Sequence, residues 1–179
     1  MQNVRILDKE FALSIPESEI QASVAKVAKQ LNEDMKGKNP LFICILNGAF
    51  MFASDLMKMI DVPCEITFVK LASYEGVIST GKVKEVIGLN ENIIDREIVI
   101  IEDIVDTGFT MQKIIATLTV KGAKNIRICT FLQKPDALIC KDIKVDYAAM
   151  QIPNDFIVGY GLDYNGFGRN LKEIYTVIN

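Results

Sequence analysis

The sequence predicts an α/β fold in which a central, mostly parallel sheet is flanked by helices. Three observations point there. Half of the 179 residues are hydrophobic, enough for a sizeable core in a chain of single-domain length, and residues 1–179 are therefore read as one domain. Uninterrupted apolar runs at residues 41–46 and 98–101 suit strands buried on both faces of a parallel sheet, and residues 126–132 read as a further strand. Stretches with helical apolar spacing lie between them, and alternating strands and helices place helices on both faces of such a sheet.

The elements follow in order. Residues 16–36 set Ile20, Val24, Val27 and Leu31 on one helical face, and a proline near the start suits a first turn. The strand at 41–46 breaks at Asn47-Gly48. A helical pattern follows, with Ala49, Phe52, Ala53, Leu56, Met57 and Ile60 on one side. Residues 64–71 alternate enough for a strand. Residues 72–84, polar and rich in Ser, Thr and Gly, form a long loop of the kind that is often functional. A short strand at 86–89 precedes the buried strand at 98–101, which runs into Glu102 and Asp103. Met111, Ile114, Ile115 and Leu118 mark a helix ending near Gly122, and residues 126–132 and 156–158 are further strands.

Composition excludes several functions. There is no histidine, which removes histidine triads, histidine general bases and most imidazole zinc sites. Acid–base chemistry falls to Asp, Glu, Lys, Tyr or Cys, and a catalytic metal would sit on oxygen ligands, which favours magnesium. The net charge of −3 offers no broad basic surface for nucleic acid. No apolar run approaches the ~20 residues that cross a bilayer, and the first ten residues lack the apolar stretch of a secretory signal, so a soluble cytoplasmic protein is expected, with no membrane partner. Cys44, Cys64, Cys129 and Cys140 form no Cys-x-x-Cys pair and read as buried, reduced thiols.

The chemistry concentrates at residues 98–110. A buried strand delivers Glu102, Asp103 and Asp106, three carboxylates within five residues, to its carboxyl end. Packed closely, they repel and lose solvation, so a magnesium ion or sugar hydroxyls must compensate them. Thr107, Gly108 and Thr110 follow at a helix start, where hydroxyls, a flexible glycine and free N–H groups suit a phosphate. Taken singly, Asp106 or Thr107 could merely cap the helix. The whole arrangement argues for a ribose-phosphate site.

This stretch resembles the phosphoribosyl pyrophosphate signature of type I phosphoribosyltransferases. The rest of the chain resembles their hypoxanthine-guanine branch, in purine salvage. The matching blocks are residues 46–50, Ser73-Tyr74 with Ser79-Thr80-Gly81, residues 102–110, residues 132–134, and residues 156–165 with Arg169. They occur in the family's order and cover roughly residues 40 to 175.

The resemblance implies the type I phosphoribosyltransferase fold, with a small hood subdomain over the active site. It implies that Asp106, Thr107, Gly108, Phe109 and Thr110 cradle the 5′-phosphate, that Glu102 and Asp103 hold the ribose hydroxyls and the metal, and that Asp106 takes the purine N7 proton. Lys134 would donate to the 6-oxo group, Phe156 would stack on the base, and Ile157 would contact it through its backbone. Asp163 would serve the purine side and the Mg2+, and Arg169 the pyrophosphate. Asn47 and Gly48 would form the loop that receives pyrophosphate. Many members carry Lys or Arg where Asn47 stands, so only a backbone role carries over there. Ser73 and Tyr74 would close as a lid that excludes water. The partners implied are phosphoribosyl pyrophosphate and a 6-oxopurine, in a homodimer or homotetramer.

Two rivals are weaker. A regulatory protein that keeps the sugar site but binds RNA or DNA is disfavoured by the acidic charge and by the presence of Lys134, Phe156, Asp163 and Arg169. A P-loop at residues 76–83 fails because Val83 stands where a magnesium-binding hydroxyl is required, and no G-x-G-x-x-G follows a strand.

Overall fold

The computed structural model describes residues 3–71, 85–87 and 89–178. The expected lid at 72–84, including Ser73, Tyr74 and the near-miss P-loop, lies outside the described residues.

The chain begins with an antiparallel hairpin, β1 (Asn3–Ile6) and β2 (Lys9–Ile15). Helix α1 (Glu17–Asp34) buries Ile20, Val24, Val27, Ala28 and Leu31, the anticipated face plus one alanine. Pro16 is the N-cap, one position before the first turn, with extended backbone at φ −75° and ψ 156°. Strand β3 (Leu41–Leu46) leads into α2 (Phe50–Met57). That helix stops before Ile60 because Met59 N–H and Ile60 N–H donate to Leu56 and Met57, tighter three-residue bonds that unwind the last turn.

Next come β4 (Glu65–Leu71), β5 (Glu85–Ile87), β6 (Glu97–Val105), α3 (Phe109–Val120) and β7 (Asn125–Gln133). A single 3-10 turn, Pro135–Ala137, precedes β8 (Tyr147–Gln151), β9 (Ile157–Val158) and β10 (Ile174–Ile178).

The main sheet has the order β5-β4-β3-β6-β7-β8, with β4, β3, β6, β7 and β8 mutually parallel and β5 antiparallel at the edge. Its central strands read as apolar runs because both faces are covered. On one face Phe42, Cys44, Val99 and Ile101 pack under α1 and α2; on the other Leu41, Ile43, Ile98 and Ile100 pack with Met111, Ile114 and Leu118 of α3. The second sheet, β1-β2-β10-β9, is antiparallel and is the hood. It has its own small core of Ile6, Phe11, Val158 and Tyr175, and Ile15, Ile157 and Ile174 tie it to the main one.

Four strands are absent from the sequence reading: β1, β2, β8 and β10. Cys44, Cys129 and Cys140 are buried free thiols, but Cys64 is only half-buried, at the start of the edge-side strand β4. No helix among the described residues is long and apolar enough to cross a membrane.

Leu31 is wholly buried between α1 and the sheet. Leu31→Ala is expected to lower unfolding stability by about 2–5 kcal/mol, read as a fall in the urea midpoint at unchanged slope. A change below about 1 kcal/mol would mean that this face is not packed as described.

Candidate active site

The carboxyl ends of β3, β6 and β7 meet a loop from the hood, and the described side chains singled out in the sequence lie on these segments. At the end of β3 the Leu46–Asn47 peptide is cis. Asn47 is exposed, whereas Gly48 is buried and has no room for a side chain. A Cβ at Gly48 would lie 1.5 Å from Asp103 Oδ2, and one at Gly161 would lie 2.0 Å from the Gly48 carbonyl oxygen. The Asp103 side chain and the Gly161 backbone thus both close on the Gly48 backbone, an approach that leaves room only for glycine at 48 and 161.

The sequence reading placed the acids at the end of a strand finishing at Ile101. Instead, β6 continues to Val105, because pairing with β7 persists through Glu102↔Thr130, Ile104↔Leu132 and Val105↔Gln133. Glu102 and Asp103 therefore lie within the strand, and Asp106 is the first residue beyond it. Glu102 is only 6% exposed. Burial first, and then the charge and hydrogen bond of Asp103, hold its carboxyl well above the usual range. Its Oε1 accepts the Asp103 N–H at 3.1 Å, and Asp103 Oδ1 accepts the Ile104 N–H at 2.8 Å. Across the ladder, burial and these two acids push the Cys44 thiol up to about 12, so it stays an inert thiol.

Helix α3 begins without a side-chain cap. Its N-cap is Gly108 in the left-handed region at φ 88°, and neither Asp106 nor Thr107 bonds to the helix terminus. The first N–H groups are thus left to a ligand, and the positive end of the helix favours an anion. Backbone bonds hold the loop in shape: the Thr107 carbonyl accepts Ile139 N–H and Cys140 N–H, each at 3.0 Å, and the Val105 carbonyl accepts Lys134 N–H at 3.0 Å.

Lys134 is buried at the end of β7. Its Nζ donates to the Asp155 carbonyl at 2.8 Å and to Asn154 Oδ1 at 3.3 Å, and it stands 3.8 Å from Asp106 Oδ2. Phe156 is 45% exposed, with its ring 6.2 Å from Phe11 and edge-on to Tyr164 at 5.8 Å. Ile157 is buried in β9. Arg169 Nη2 pairs with Asp163 Oδ1 at 2.6 Å, while Nη1 donates to the Gly161 carbonyl at 2.7 Å. Asp163 Oδ2 also accepts the Gly166 N–H at 2.6 Å.

A cavity of about 520 Å³ unites Asn47, Gly48, Glu102, Asp103, residues 106–110, Asp163 and Arg169. Lys134, Phe156 and Ile157 do not line it; Lys134 meets it only through Asp106. Asp163, expected at both the base and the metal, lies in the cavity beside Arg169. Among the described residues no three acidic or cysteine side chains converge to hold a metal ion, so Glu102, Asp103 and Asp163 are not a preassembled triad. Two contributions escaped the sequence reading. Lys113 also lines the cavity, four residues and so one helical turn after Phe109, a spacing that could have revealed it. Asn154 and the Asp155 carbonyl aim Lys134, and a carbonyl acceptor leaves no trace in residue type.

Comparisons with known proteins agree with this geometry. Residues 16–165 match the phosphoribosyl transferase domain family. The hypoxanthine-guanine phosphoribosyltransferase of Streptococcus mutans is 40% identical over 159 residues, covering 88% of each chain. The Bifunctional protein TilS/HprT of Listeria monocytogenes is 37% identical over 161 residues, which are 89% of this chain but 25% of that protein. The chain thus spans about a quarter of the length of that relative. A crystal structure of a hypoxanthine phosphoribosyltransferase from Staphylococcus aureus superimposes with a TM-score of 0.86 at 38% identity, covering 93% of this chain and 90% of that one.

Burying Glu102 beside Asp103 costs stability unless a ligand compensates them. Glu102→Gln keeps the shape and a donor toward Asp103 without needing a proton. It is expected to raise the ligand-free Tm by about 2–4 °C in calorimetry at neutral pH. A drop of similar size would refute the like-charge account.

Proposed function

The chain belongs to the phosphoribosyltransferase family, and within it we propose a purine-salvage enzyme that transfers the 5-phosphoribosyl group of phosphoribosyl pyrophosphate to hypoxanthine and guanine, giving IMP and GMP with release of pyrophosphate. The observation that carries this reading is the 3.8 Å approach of Lys134 Nζ to Asp106 Oδ2 at the mouth of the cavity. A 6-oxopurine presents N7 and its 6-oxo oxygen side by side. A donor and an acceptor at this spacing address both, the lysine donating to the oxo group while the carboxylate accepts the N7 proton.

The remaining roles follow from charge and shape. The uncapped start of α3, with the Thr107 and Thr110 hydroxyls, anchors the 5′-phosphate far from the reacting carbon. It thereby uses remote binding to position the anomeric centre. Glu102 and Asp103 accept from the ribose hydroxyls. The backbone N–H groups of Asn47 and Gly48, together with Arg169, receive the pyrophosphate. Phe156 stacks on the base and Ile157 meets its edge through the backbone. Ser73 and Tyr74, outside the described residues, are assigned the lid role solely by their match to the family's lid sequence.

The donor set is all oxygen and includes a carboxyl raised by burial and then by its neighbour Asp103, so it fits Mg2+. Glu102 and Asp103, with Asp163 on the pyrophosphate side, would hold the ion, and it supplies neutralisation of the leaving group when bound. As the bond to pyrophosphate lengthens and oxocarbenium character grows, Asp106 removes the proton from the attacking purine. The enzyme so described works in the cytoplasm as a homodimer or homotetramer.

Initial rates with phosphoribosyl pyrophosphate and magnesium, run in parallel against hypoxanthine, guanine, xanthine, adenine and uracil, test the reading. Turnover confined to 6-oxopurines is expected, and Asp106→Asn should lower kcat at least about 100-fold with little change in KM for phosphoribosyl pyrophosphate. Equal losses in both would sink the base assignment, and turnover with none of the five bases would sink the enzyme. Lys134→Met should raise KM for hypoxanthine at least about tenfold and leave KM for phosphoribosyl pyrophosphate unchanged. An unchanged KM for hypoxanthine would remove Lys134 from the base site.

A further inference from the structure

Arg169 and Asp163 hang from a loop whose backbone is unusual. Gly159, Tyr160 and Gly161 occupy the left-handed region consecutively, at φ 103°, 47° and 101°. For a bulky non-glycine residue this conformation is uncommon, and surrounding contacts must hold it there. The contacts are present. Tyr160 is 2% exposed, and its ring packs 4.8 Å from that of Phe131. Its N–H donates to the Leu171 carbonyl at 2.8 Å, and its hydroxyl donates to Asp55 Oδ2 at 2.7 Å. Asp55, on α2, is itself fixed by Gln21 Nε2 of α1 at 2.8 Å and by Lys58 Nζ at 2.6 Å.

The same peptide stretch touches the pyrophosphate side of the cavity. Gly161 packs on the Gly48 carbonyl, donates its N–H to the Arg169 carbonyl at 3.0 Å, and accepts Arg169 Nη1 at 2.7 Å. Gly48 in turn lies just ahead of α2, the helix that carries Asp55. Residues 159–161 are therefore held between the Asp55 carboxylate on one side and the Asn47-Gly48 loop on the other.

We propose that Tyr160 is a positioning residue for pyrophosphate: its hydroxyl, fixed by Asp55 and Gln21, sets the height of Gly161 over Gly48 and so the place of Arg169. The inference rests on the reading of the cavity as a phosphoribosyl pyrophosphate site. Tyr160 touches no ligand and acts only through Gly161 and Arg169. Removing its hydroxyl loosens one wall of the pyrophosphate pocket while leaving Asp106 and Lys134 in place.

The chain contains a matched control. Tyr147 OH donates to Asp34 Oδ2 at 2.7 Å, an equivalent tyrosine–aspartate bond between β8 and α1, and neither residue lines the cavity. The test measures the dissociation constant of magnesium pyrophosphate by calorimetry, together with kcat, KM for phosphoribosyl pyrophosphate and Tm. The proteins are the wild type, Tyr160→Phe, Tyr147→Phe, Asp55→Asn and the Tyr160→Phe/Asp55→Asn double variant. Tyr160→Phe should weaken pyrophosphate binding and raise KM for phosphoribosyl pyrophosphate by about fivefold to tenfold, with kcat within about twofold and KM for hypoxanthine unchanged. Tyr147→Phe should lower Tm comparably and leave every binding constant at the wild-type value. The double variant should bind pyrophosphate no worse than the weaker single one, the mark of a shared bond. Pyrophosphate binding by Tyr160→Phe at the wild-type level, or an equal loss in Tyr147→Phe, would overturn the proposal. Failure of the wild type itself to bind pyrophosphate would instead overturn the underlying reading of the cavity.

Discussion

Two neighbouring carboxylates on the central strand govern the site. Glu102 cannot retreat to solvent, because it is paired with Thr130 of β7 and its side chain is buried. Asp103 cannot swing away freely, because the Gly48 backbone is pressed against its Oδ2. Like charges confined in this way repel and lose solvation, and the protein supplies no lysine or arginine contact to either of them among the bonds described. A proton on Glu102, whose carboxyl is held well above the usual range, relieves this in the free protein, and a ligand that brings hydroxyls or a cation can take its place.

Around that acidic centre the attractive groups are segregated. The uncapped N-terminus of α3 forms one stretch of the cavity lining, and the Asn47-Gly48 backbone with Arg169 forms another. An anion placed directly on Glu102 and Asp103 would be repelled, whereas anions at either side would be drawn in. The pattern selects a ligand that is polar and uncharged in its middle and negatively charged at both ends. A sugar carrying a phosphate on one carbon and a pyrophosphate on another has that distribution of charge.

How much of this could be read beforehand depended on whether residue type reports environment. Leu41–Leu46 was legible to the residue, since a strand covered on both faces must be apolar throughout. The acids of β6 broke that rule, and the strand was ended at Ile101 although its pairing runs on to Val105. A buried glutamate paired across to Thr130 looks like a loop in sequence and is a strand in space. The hood was hidden for another reason. β2 alternates only loosely and is paired with β10, far away in sequence, while the missed main-sheet strand β8 centres on alanines that carry little strand signal. The site residues on the 102–110 segment were legible because hydroxyl, glycine and acid types cluster there. The groups that aim Lys134 and Arg169 were not, because they include the carbonyls of Asp155 and Gly161, which any residue could provide.

Asn47 shows the same division from the other direction. Where the resemblance implies a basic side chain in many members, this chain has an exposed asparagine, and an argument from side-chain charge would count the loop as weakened. The buried partner is Gly48, and what the fold holds in place is its backbone, against Asp103 on one side and Gly161 on the other. A group fixed by close packing of main chain on main chain is insensitive to the identity of the side chain that points into solvent beside it. The cations that line the cavity among the described residues are Lys113, on α3, and Arg169, on the hood loop. Positive charge beside Gly48 therefore comes from Arg169 of the hood, which is bonded to the carbonyl of Gly161, the residue packed on Gly48, and not from the loop at the end of β3.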